Sequence, residues 1–435
     1  MIRCVDDSKY NYKTIFNTKT GSYIRFSDAL FASYPHLIDI GVMGSCEHGR
    51  SGLCLKAGIK CYQNGYKTQT PNMTLEDFKR IIDEIKDRTF QCALGGRGDP
   101  DMHENFEELL HYAATNNVVP NFTTSGLGMT PEKAAICQAY CGAVAVSAYS
   151  RLVDKPIVAW RKRTEQEAKT PYSSLDDVPT VFTLANLNSA CYTEDDIFVI
   201  NNKDFAWHYL HHFEHYKEQY FNGDFELYKV YEEKPEPNYT MRAIDMLLTA
   251  GVSTNIHFVL SNTTIDEAIL RLKYEGFPEG INAVIFLLHK PVGLGDESDV
   301  LQYDDHRLVE FFELIDKPHK FKIGFDSCTV PAILNFSKNI NLNSVDTCEA
   351  ARFSMYISAD MIALPCSFDN VKQKYAFDLR QGTIEDAWNS KAFDNFRASF
   401  KTSCAGCAQR KKCLGGCPLE PSIILCNKKE KNRWL

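Results

Sequence analysis

Three cysteines in one short glycine-rich segment are the residues most able to do chemistry in this sequence. The segment MGSCEHGRSGLCLKAGIKCYQNG (residues 43–65) contains Cys46, Cys54 and Cys61, with seven residues between the first two and six between the last two. Thiolates bind zinc and iron–sulfur clusters, and a closed structural zinc site takes four ligands. Three protein ligands leave one coordination position open, as catalytic metal sites do. The segment therefore predicts an open-site metal centre.

A second group of cysteines lies near the carboxyl end of the chain. The segment CAGCAQRKKCLGGC (residues 404–417) combines a pair separated by two residues with a second pair nearby, a spacing that indicates metal binding. The whole group comprises Cys328, Cys348, Cys366, Cys404, Cys407, Cys413, Cys417 and Cys426. These eight thiolates suffice for two four-cysteine sites, which could hold zinc or iron–sulfur clusters.

The composition favours bound, reduced thiols over disulfides. The chain has 16 cysteines in 435 residues, yet it begins MIRCVDDSKYNYK, without an apolar stretch of signal-peptide length. No run approaches the length of a membrane span, so we expect a cytoplasmic protein with no membrane partner. The net charge of −8 argues against a nucleic-acid partner, which would require a basic surface.

Short apolar runs that alternate with helix-like segments must position these cysteines. Continuous apolar character indicates strands buried on both faces, as in a parallel sheet. The runs are HLIDIGVM (36–43), FQCALGG (90–96), VVPNFTTS (118–125), GAVAVSAY (142–149), STNIHFVL (253–260) and INAVIFLL (281–288). Helix starts follow some of them, with Thr74 in a capping box and Thr130 before Pro131.

Six strand–helix pairs in a row predict a parallel α/β fold, open or barrel-like. Functional residues of such folds lie at the carboxyl ends of the strands. Because the first cysteine segment directly follows the first predicted strand, we expect it at that edge.

One connection is abnormally long and predicts an inserted subdomain at about residues 152–237. Within it, TVFTL (180–184) and DIFVI (196–200) resemble strands, and residues 204–221 resemble a helix with an aromatic face. Two interpretations stand: a decorative subdomain, or a lid or partner-docking element over the site, since long loops at this edge are often functional.

The cysteine segment after the first strand resembles that of the radical S-adenosylmethionine (SAM) enzymes. The motif GGRGDP (95–100), at the end of the second strand, is similar to the glycine-rich motif of that family. The resemblance implies a partial (β/α)6 barrel over residues 36–325, with a 4Fe-4S cluster on Cys46, Cys54 and Cys61 whose open iron binds SAM. The residues that it assigns to SAM are Gly95, Gly96, Gly98, Asp99, Thr124, Ser125 and Ser147. The family's usual cysteine spacing is three and two residues, which differs from the one here.

The carboxyl-terminal cysteines resemble the SPASM extension of many peptide-modifying radical SAM enzymes, and imply such a domain over residues 326–435. One auxiliary 4Fe-4S cluster would be held by Cys328, Cys348, Cys366 and Cys417, and the other by Cys404, Cys407, Cys413 and Cys426. Two positions depart from the relatives: Met361 stands where a glycine is usual, and Ser367 stands where the sulfatase-maturing members carry an aspartate base.

The resemblance implies reductive cleavage of SAM to a 5′-deoxyadenosyl radical that removes hydrogen from a substrate. The substrate would be a ribosomally made precursor peptide, and the modification a crosslink, an epimerisation or a backbone excision, in an oxidoreductase or lyase type of reaction. A flavodoxin or ferredoxin would supply electrons. The lead segment, residues 1–35, contains no recognisable leader-binding domain, so the insertion or a separate protein would bind the leader. Two alternatives remain: a radical SAM enzyme for a small molecule or folded protein, and a non-catalytic iron–sulfur electron carrier or scaffold.

Overall fold

The chain divides into two compact units in this computed structural model. The structure describes residues 2–19, 21, 23–26, 31–52, 60–148, 239–273, 275–401, 407 and 409–426, together with four strands between residues 157 and 231. The first unit comprises Met1–Tyr149, Ala243–Ile265 and Gly280–Leu435. The second unit comprises Ser150–Arg242 and Asp266–Glu279.

The strands and helices alternate along most of the described chain. The strands are β1 (Ile2–Asp7), β2 (Tyr12–Asn17), β3 (Tyr23–Phe26), β4 (Leu37–Met43), β5 (Gln91–Gly96), β6 (Val119–Thr124), β7 (Val144–Ala148), β8 (Ile157–Lys162), β9 (Thr180–Thr183), β10 (Ile197–Ile200), β11 (Phe225–Tyr231), β12 (Thr254–Leu260), β13 (Ala283–Leu288), β14 (Lys322–Phe325), β15 (Ser354–Ile357), β16 (Ile362–Leu364) and β17 (Phe377–Asp378). The helices are α1 (Glu47–Ser51), α2 (Leu75–Ile85), α3 (Phe106–Thr115), α4 (Pro131–Tyr140), α5 (Tyr239–Thr249), α6 (Ile265–Lys273), α7 (Arg307–Ile315), α8 (Val330–Phe336), α9 (Ile384–Trp388), α10 (Lys391–Ala398) and α11 (Arg410–Cys413).

A ten-stranded sheet forms the centre of the first unit, in the order β14-β13-β12-β7-β6-β5-β4-β15-β16-β17. The strands from β14 to β15 run parallel to one another, whereas β16 and β17 are antiparallel additions. All six apolar runs lie in this parallel part, so the predicted strands and the parallel α/β fold are confirmed. The carboxyl ends of the parallel strands lie at one edge, which is where the cysteine segment begins.

The two faces of the parallel strands differ in polarity. In β12, Ile256, Phe258 and Leu260 are almost fully buried in the apolar core, whereas the intervening His257 is only partly buried. Side chains alternate across a strand, so the polar residues of β12 share the face opposite the apolar core. This second face is the one that can receive a polar ligand.

Helix starts agree with the capping chemistry of the sequence. The Thr74 side chain accepts a hydrogen bond from the backbone N–H of Asp77, and α2 then buries an apolar stripe that includes Phe78, Ile82 and Ile85. The Thr130 side chain caps α4 in the same way, with Pro131 in the first helical turn. Both predicted starts are confirmed.

The carboxyl-terminal segment shares the main sheet with the parallel strands. β15 pairs in parallel with β4, with Tyr356 opposite Asp39. A Cβ on Gly41 would overlap the hydroxyl of Tyr356, so only glycine leaves room for this ring beside β4. The cysteine-rich segment is therefore joined to the strand that leads into the first cysteine segment.

A separate antiparallel sheet, in the order β1-β2-β3, lies at the amino terminus, where the sequence analysis assigned no structure. The Arg25 guanidinium on β3 pairs with Asp346 and with Glu349, each at 2.9 Å, and lies 3.4 Å from the ring centre of Phe353. These contacts fasten the lead segment to the chain on either side of Cys348.

The second unit contains a four-stranded sheet in the order β10-β8-β11-β9. Its strands β9 and β10 confirm the two strands that the insertion predicts, whereas β8 and β11 were not predicted. The predicted helix over residues 204–221 lies outside the described residues. Within the described ranges, no helix combines the length and the apolar character that a bilayer crossing requires.

Candidate active site

Cys46 lies just beyond the carboxyl end of β4 and begins the short helix α1. Its sulfur accepts a hydrogen bond from the backbone N–H of Gly49 at 3.3 Å. Its own N–H donates to the side-chain oxygen of Gln69 at 3.1 Å. Gln69 in turn donates to the carbonyl of Gly65 at the far end of the cysteine segment. Cys46 is therefore held by Gly49 of its own helix and, through Gln69, by Gly65 at the end of the segment.

Glycines pack against Cys46 from two directions. A Cβ on Gly65 would lie 3.0 Å from the Cβ of Cys46, and a Cβ on Gly98 would overlap the carbonyl oxygen of Ser45. Gly96 has a φ of +120° and lies against Met43, so it requires glycine on backbone grounds as well. Gly95 differs, because a Cβ there would meet nothing within 4 Å. The predicted glycine motif thus packs against the cysteine segment and leaves open space at Gly95.

Cys61 lies close to Cys46 and is anchored to the loop after β13. Its carbonyl accepts a hydrogen bond from the N–H of Leu294 at 3.0 Å. Burial raises the pKa of the Cys46 thiol, the Gly49 N–H opposes that increase, and the nearby charges of Asp99 and Cys61 add to it. A buried thiol with negative charge nearby ionises more readily when a cationic ligand is bound. Cys54, the third predicted ligand, lies outside the described residues.

Asp99 and Ser125, both predicted from the sequence, meet His48 beside Cys46. The Ser125 hydroxyl donates to the Asp99 carboxylate and lies 2.7 Å from Nε2 of His48. The same Nε2 lies 3.4 Å from the Asp99 carboxylate, so a tautomer with the proton on Nε2 can donate to either oxygen. His48 is not among the residues selected from the sequence, and its position two residues after Cys46 was the available signal. These three groups form one polar network at the carboxyl edge.

The other two predicted SAM contacts are placed differently. Thr124 is fully buried, and its hydroxyl accepts the N–H of Gly126 at 2.9 Å, which stabilises the turn after β6. Ser147 is partly buried on β7, opposite His257 of β12. The neighbouring Thr123 shares that face, with its hydroxyl 3.3 Å from Nδ1 of His257. Thr123 and His257 are thus polar residues on the second face of the sheet, and the sequence analysis did not select them.

Four cysteines line a second site, which we call the four-cysteine cavity. Its walls include Cys328, Cys348, Cys366, Cys417, Lys290 and Phe368. The four thiols are those that the family resemblance assigns to one auxiliary cluster. Burial raises the pKa of Cys348 to about 12 and also raises that of Cys366. Buried thiols need a metal to become thiolates, so the donor set suits a cluster that supplies positive charge.

The second predicted auxiliary set is only partly described. Cys407, Cys413 and Cys426 are described, and Cys404 is not. The carbonyl of Cys413 accepts a hydrogen bond from the Thr347 hydroxyl at 3.0 Å, next to Cys348. None of the cysteines in the described ranges forms a disulfide. No group of three or more His, Cys, Asp or Glu side chains in those ranges is arranged to hold a single metal ion.

An aromatic contact joins the two sites. Tyr62 follows Cys61, and its ring lies 4.6 Å from the ring of Phe368, which lines the four-cysteine cavity. Lys290 lies on Phe368, with its ammonium nitrogen 4.6 Å from the ring centre. Sequence reasoning missed all three residues, because neither an aromatic after a cysteine nor a lysine after a strand signals a function.

Comparison with known proteins identifies the class of fold and the nature of the cysteine-rich segment. Residues 348–409 match the family model of SPASM, an iron–sulfur cluster-binding domain. The structure of Streptococcus suis SuiB bound to S-adenosylmethionine superimposes with a TM-score of 0.58 at 12% identity, over 98% of each chain. SuiB bound to its precursor peptide SuiA gives a TM-score of 0.55 at 11% identity, over 96% of this chain and 95% of that one.

Mycofactocin maturase MftC is similar in sequence over a shorter region. The protein from Mycolicibacterium smegmatis is 34% identical over 83 residues, which are 19% of this chain and 21% of that one. MftC from Mycobacterium tuberculosis strain H37Rv is 33% identical over 82 residues, with the same coverage. The match thus spans about a fifth of the length of these relatives. Together these findings confirm the resemblance to radical SAM enzymes with a SPASM domain at the level of fold and of the iron–sulfur segment.

Proposed function

We propose that this chain is a radical SAM enzyme that modifies a ribosomally synthesised peptide. The observation that supports it most is the position of Cys46 and Cys61 at the carboxyl edge of the parallel sheet, against the Gly95–Asp99 loop. Three thiolates there, with Cys54, would hold a 4Fe-4S cluster. When bound, that cluster supplies the electron that cleaves SAM to methionine and a 5′-deoxyadenosyl radical.

The protein's own residues would bind and orient the cofactor. Gly95 offers a surface without a side chain, so a ligand can approach the backbone closely. The Asp99 carboxylate and the hydroxyls of Ser125 and Ser147 supply acceptors for the polar groups of SAM. His48 holds the hydroxyl of Ser125 through the contact at Nε2. We expect Thr124 to support SAM binding by stabilising the turn after β6, without contacting SAM itself.

The SPASM segment would hold the two auxiliary clusters that the resemblance implies. One would lie in the four-cysteine cavity and the other on Cys404, Cys407, Cys413 and Cys426. The SuiB structure with a precursor peptide and the similarity to a maturase support a peptide substrate. The same proposal includes a cytoplasmic location, an electron donor such as flavodoxin or ferredoxin, and a separate leader-binding protein. The modification would be a crosslink, an epimerisation or a backbone excision.

One assay tests the proposal. The protein is purified without oxygen, reconstituted with iron and sulfide, and given dithionite and SAM, and 5′-deoxyadenosine is quantified. We expect product from the wild type and from Cys4→Ala, an exposed cysteine far along the chain from the segment, but none from the combined Cys46→Ala, Cys54→Ala and Cys61→Ala variant. Equal product from that triple variant would refute the proposal. Iron-free, zinc-loaded protein would favour the non-catalytic scaffold instead.

A further inference from the structure

Lys290 places a buried positive charge against the four-cysteine cavity. Lys290 lies two residues after the end of β13 and lines the cavity. Its side chain is 3% exposed. Its ammonium donates to the carbonyl of Leu288 at 2.7 Å and to the Asp326 carboxylate. Both partners accept hydrogen bonds, so the nitrogen acts as a donor in each contact. A buried lysine is costly and rare, and here its head group faces a cavity lined by thiols.

The partner Asp326 is committed to holding the backbone near Cys328. One carboxylate oxygen accepts the hydroxyl of Thr329 at 2.7 Å, and the other accepts the N–H of Leu288 at 3.2 Å. Asp326 also begins the short 3₁₀ segment Ser327–Thr329, which contains Cys328. The acid is therefore turned toward the backbone, whereas the lysine lies over the Phe368 ring in the cavity wall. Of this pair, Lys290 lines the cavity and Asp326 does not.

Among the described residues, one other charged side chain lines the cavity. Glu420 lines the cavity and forms an ion pair with Lys372 at 2.7 Å. The Lys372 side chain is 61% exposed, so solvent screens it far more than it screens Lys290. The Glu420 N–H lies 3.4 Å from the sulfur of Cys417 and can donate to it. Lys290 is thus the cation among the described residues of the cavity wall, and the buried guanidinium of Arg352, which donates to the carbonyl of Cys348 at 2.8 Å, is a second cation close to the site.

We propose that Lys290 raises the reduction potential of the iron–sulfur cluster held in the four-cysteine cavity. This inference rests on the proposed function only in requiring a cluster there. Four thiolates make such a cluster anionic, and its one-electron reduction adds a further negative charge. A fixed cation in a low-dielectric wall stabilises the reduced form more than the oxidised form. Lys290 thus acts through its charge and does not bind iron. The cluster can therefore accept one electron from a weaker reductant.

The test is an anaerobic redox titration of the reconstituted full-length protein, followed by electron paramagnetic resonance. The signal of this cluster is the one that Cys366→Ala removes. At a fixed potential we expect Lys290→Met to lower the ratio of reduced to oxidised cluster at least tenfold, which is about 59 mV for a one-electron couple. Lys290→Arg keeps the charge and should keep the ratio. Lys338→Met removes a 73% exposed lysine elsewhere and should leave the ratio unchanged.

Asp326→Asn provides the opposite test. The amide keeps an oxygen that can accept the Thr329 hydrogen bonds, but its NH2 group cannot accept from Leu288 or Lys290. The negative charge is removed, so the ratio of reduced to oxidised cluster should rise. A ratio within twofold of the wild type in both Lys290→Met and Asp326→Asn would overturn the inference. If Lys290→Met fails to retain iron, Asp326→Asn alone decides it. If Cys366→Ala leaves the iron and sulfide content unchanged, the cavity holds no cluster, and it is the proposed function that fails.

Discussion

Gln63 and Asn370 are joined by a hydrogen bond although 307 positions separate them in the chain. The side-chain nitrogen of Asn370 donates to the side-chain oxygen of Gln63 at 2.9 Å, and both residues are buried. Gln63 lies two residues after Cys61, and Asn370 lies four after Cys366. The bond therefore links the loop of the first cysteine site to the segment that follows Cys366.

Loss of one partner of this bond should destabilise the fold. Asn370→Ala leaves the Gln63 oxygen buried without its donor, which costs about 1–3 kcal/mol in the free energy of unfolding. Urea unfolding of reconstituted protein with matched iron content measures this cost. Because the two side chains form one interaction, the combined Gln63→Ala and Asn370→Ala variant should lose less stability than the sum of the two single variants. Strict additivity would show that the bond contributes nothing.

The glycines at Gly98 and Gly95 should respond differently to alanine. At Gly98 the new methyl group would overlap the backbone of Ser45, so the chain at Cys46 must shift and iron should be lost from the first site. At Gly95 the methyl group meets no protein atom, so iron content should stay at the wild-type level while SAM affinity falls. Iron analysis and equilibrium SAM binding measure the two effects. Full SAM affinity in Gly95→Ala would place the cofactor elsewhere.

His257, on the second face of the sheet, should make the free energy of unfolding depend on pH. Burial lowers the pKa of His257 to about 4. In the unfolded chain this ring takes up a proton near pH 6.5, whereas in the folded protein it stays neutral down to about pH 4, so stability falls as the pH decreases through that window. His257→Asn removes the titrating ring, and the stability difference between wild type and variant should change by about 1–3 kcal/mol across the window.

Urea unfolding at pH 7.5 and at pH 4.5 measures this dependence. His111→Gln, an exposed position on α3, is the matched control and should follow the wild-type pH profile. Parallel profiles for wild type and His257→Asn would contradict the prediction.

Loading with iron and sulfide should stabilise the protein through the four-cysteine cavity. A ligand that binds only the folded state raises the melting temperature, and the buried thiols of Cys348 and Cys366 are poorly ionised without metal. Anaerobic thermal unfolding before and after reconstitution should show an increase that Cys366→Ala reduces. The exposed Cys4→Ala should retain the full increase. An equal increase in Cys366→Ala would place the stabilising cluster at another site.

The parallel strands could be predicted because their sequences are largely apolar runs of strand length. The same signal is absent from β14 and β15, which are four residues each. In addition, β15 pairs with β4, which lies far earlier in the chain. β2 alternates buried and more exposed residues in YKTIFN, a period-two pattern that was available in the sequence. Short strands escape prediction because their stability comes from their neighbours rather than from local pattern.

Some residues of the candidate site could likewise be predicted from the sequence, and others could not. Cysteines are recognisable because the thiol itself carries the chemistry and its spacing constrains the ligand set. Lys290 and His48 are different, because their roles come from partners brought close by the fold: Asp326 for the lysine, and Ser125 for the histidine. No local pattern distinguishes a buried lysine of this kind from a solvated one.

The pairing of β4 with β15 has a consequence for synthesis of the chain. β4 is the first parallel strand to leave the ribosome, yet one of its two neighbours, β15, is made only after residue 353. Until then β4 presents an unpaired edge, which invites association with other chains. Pairing across such a sequence distance also slows folding. We therefore expect a nascent or truncated chain that ends before β15 to depend on chaperones and to aggregate, so that the cysteine-rich segment completes the sheet as well as carrying thiols.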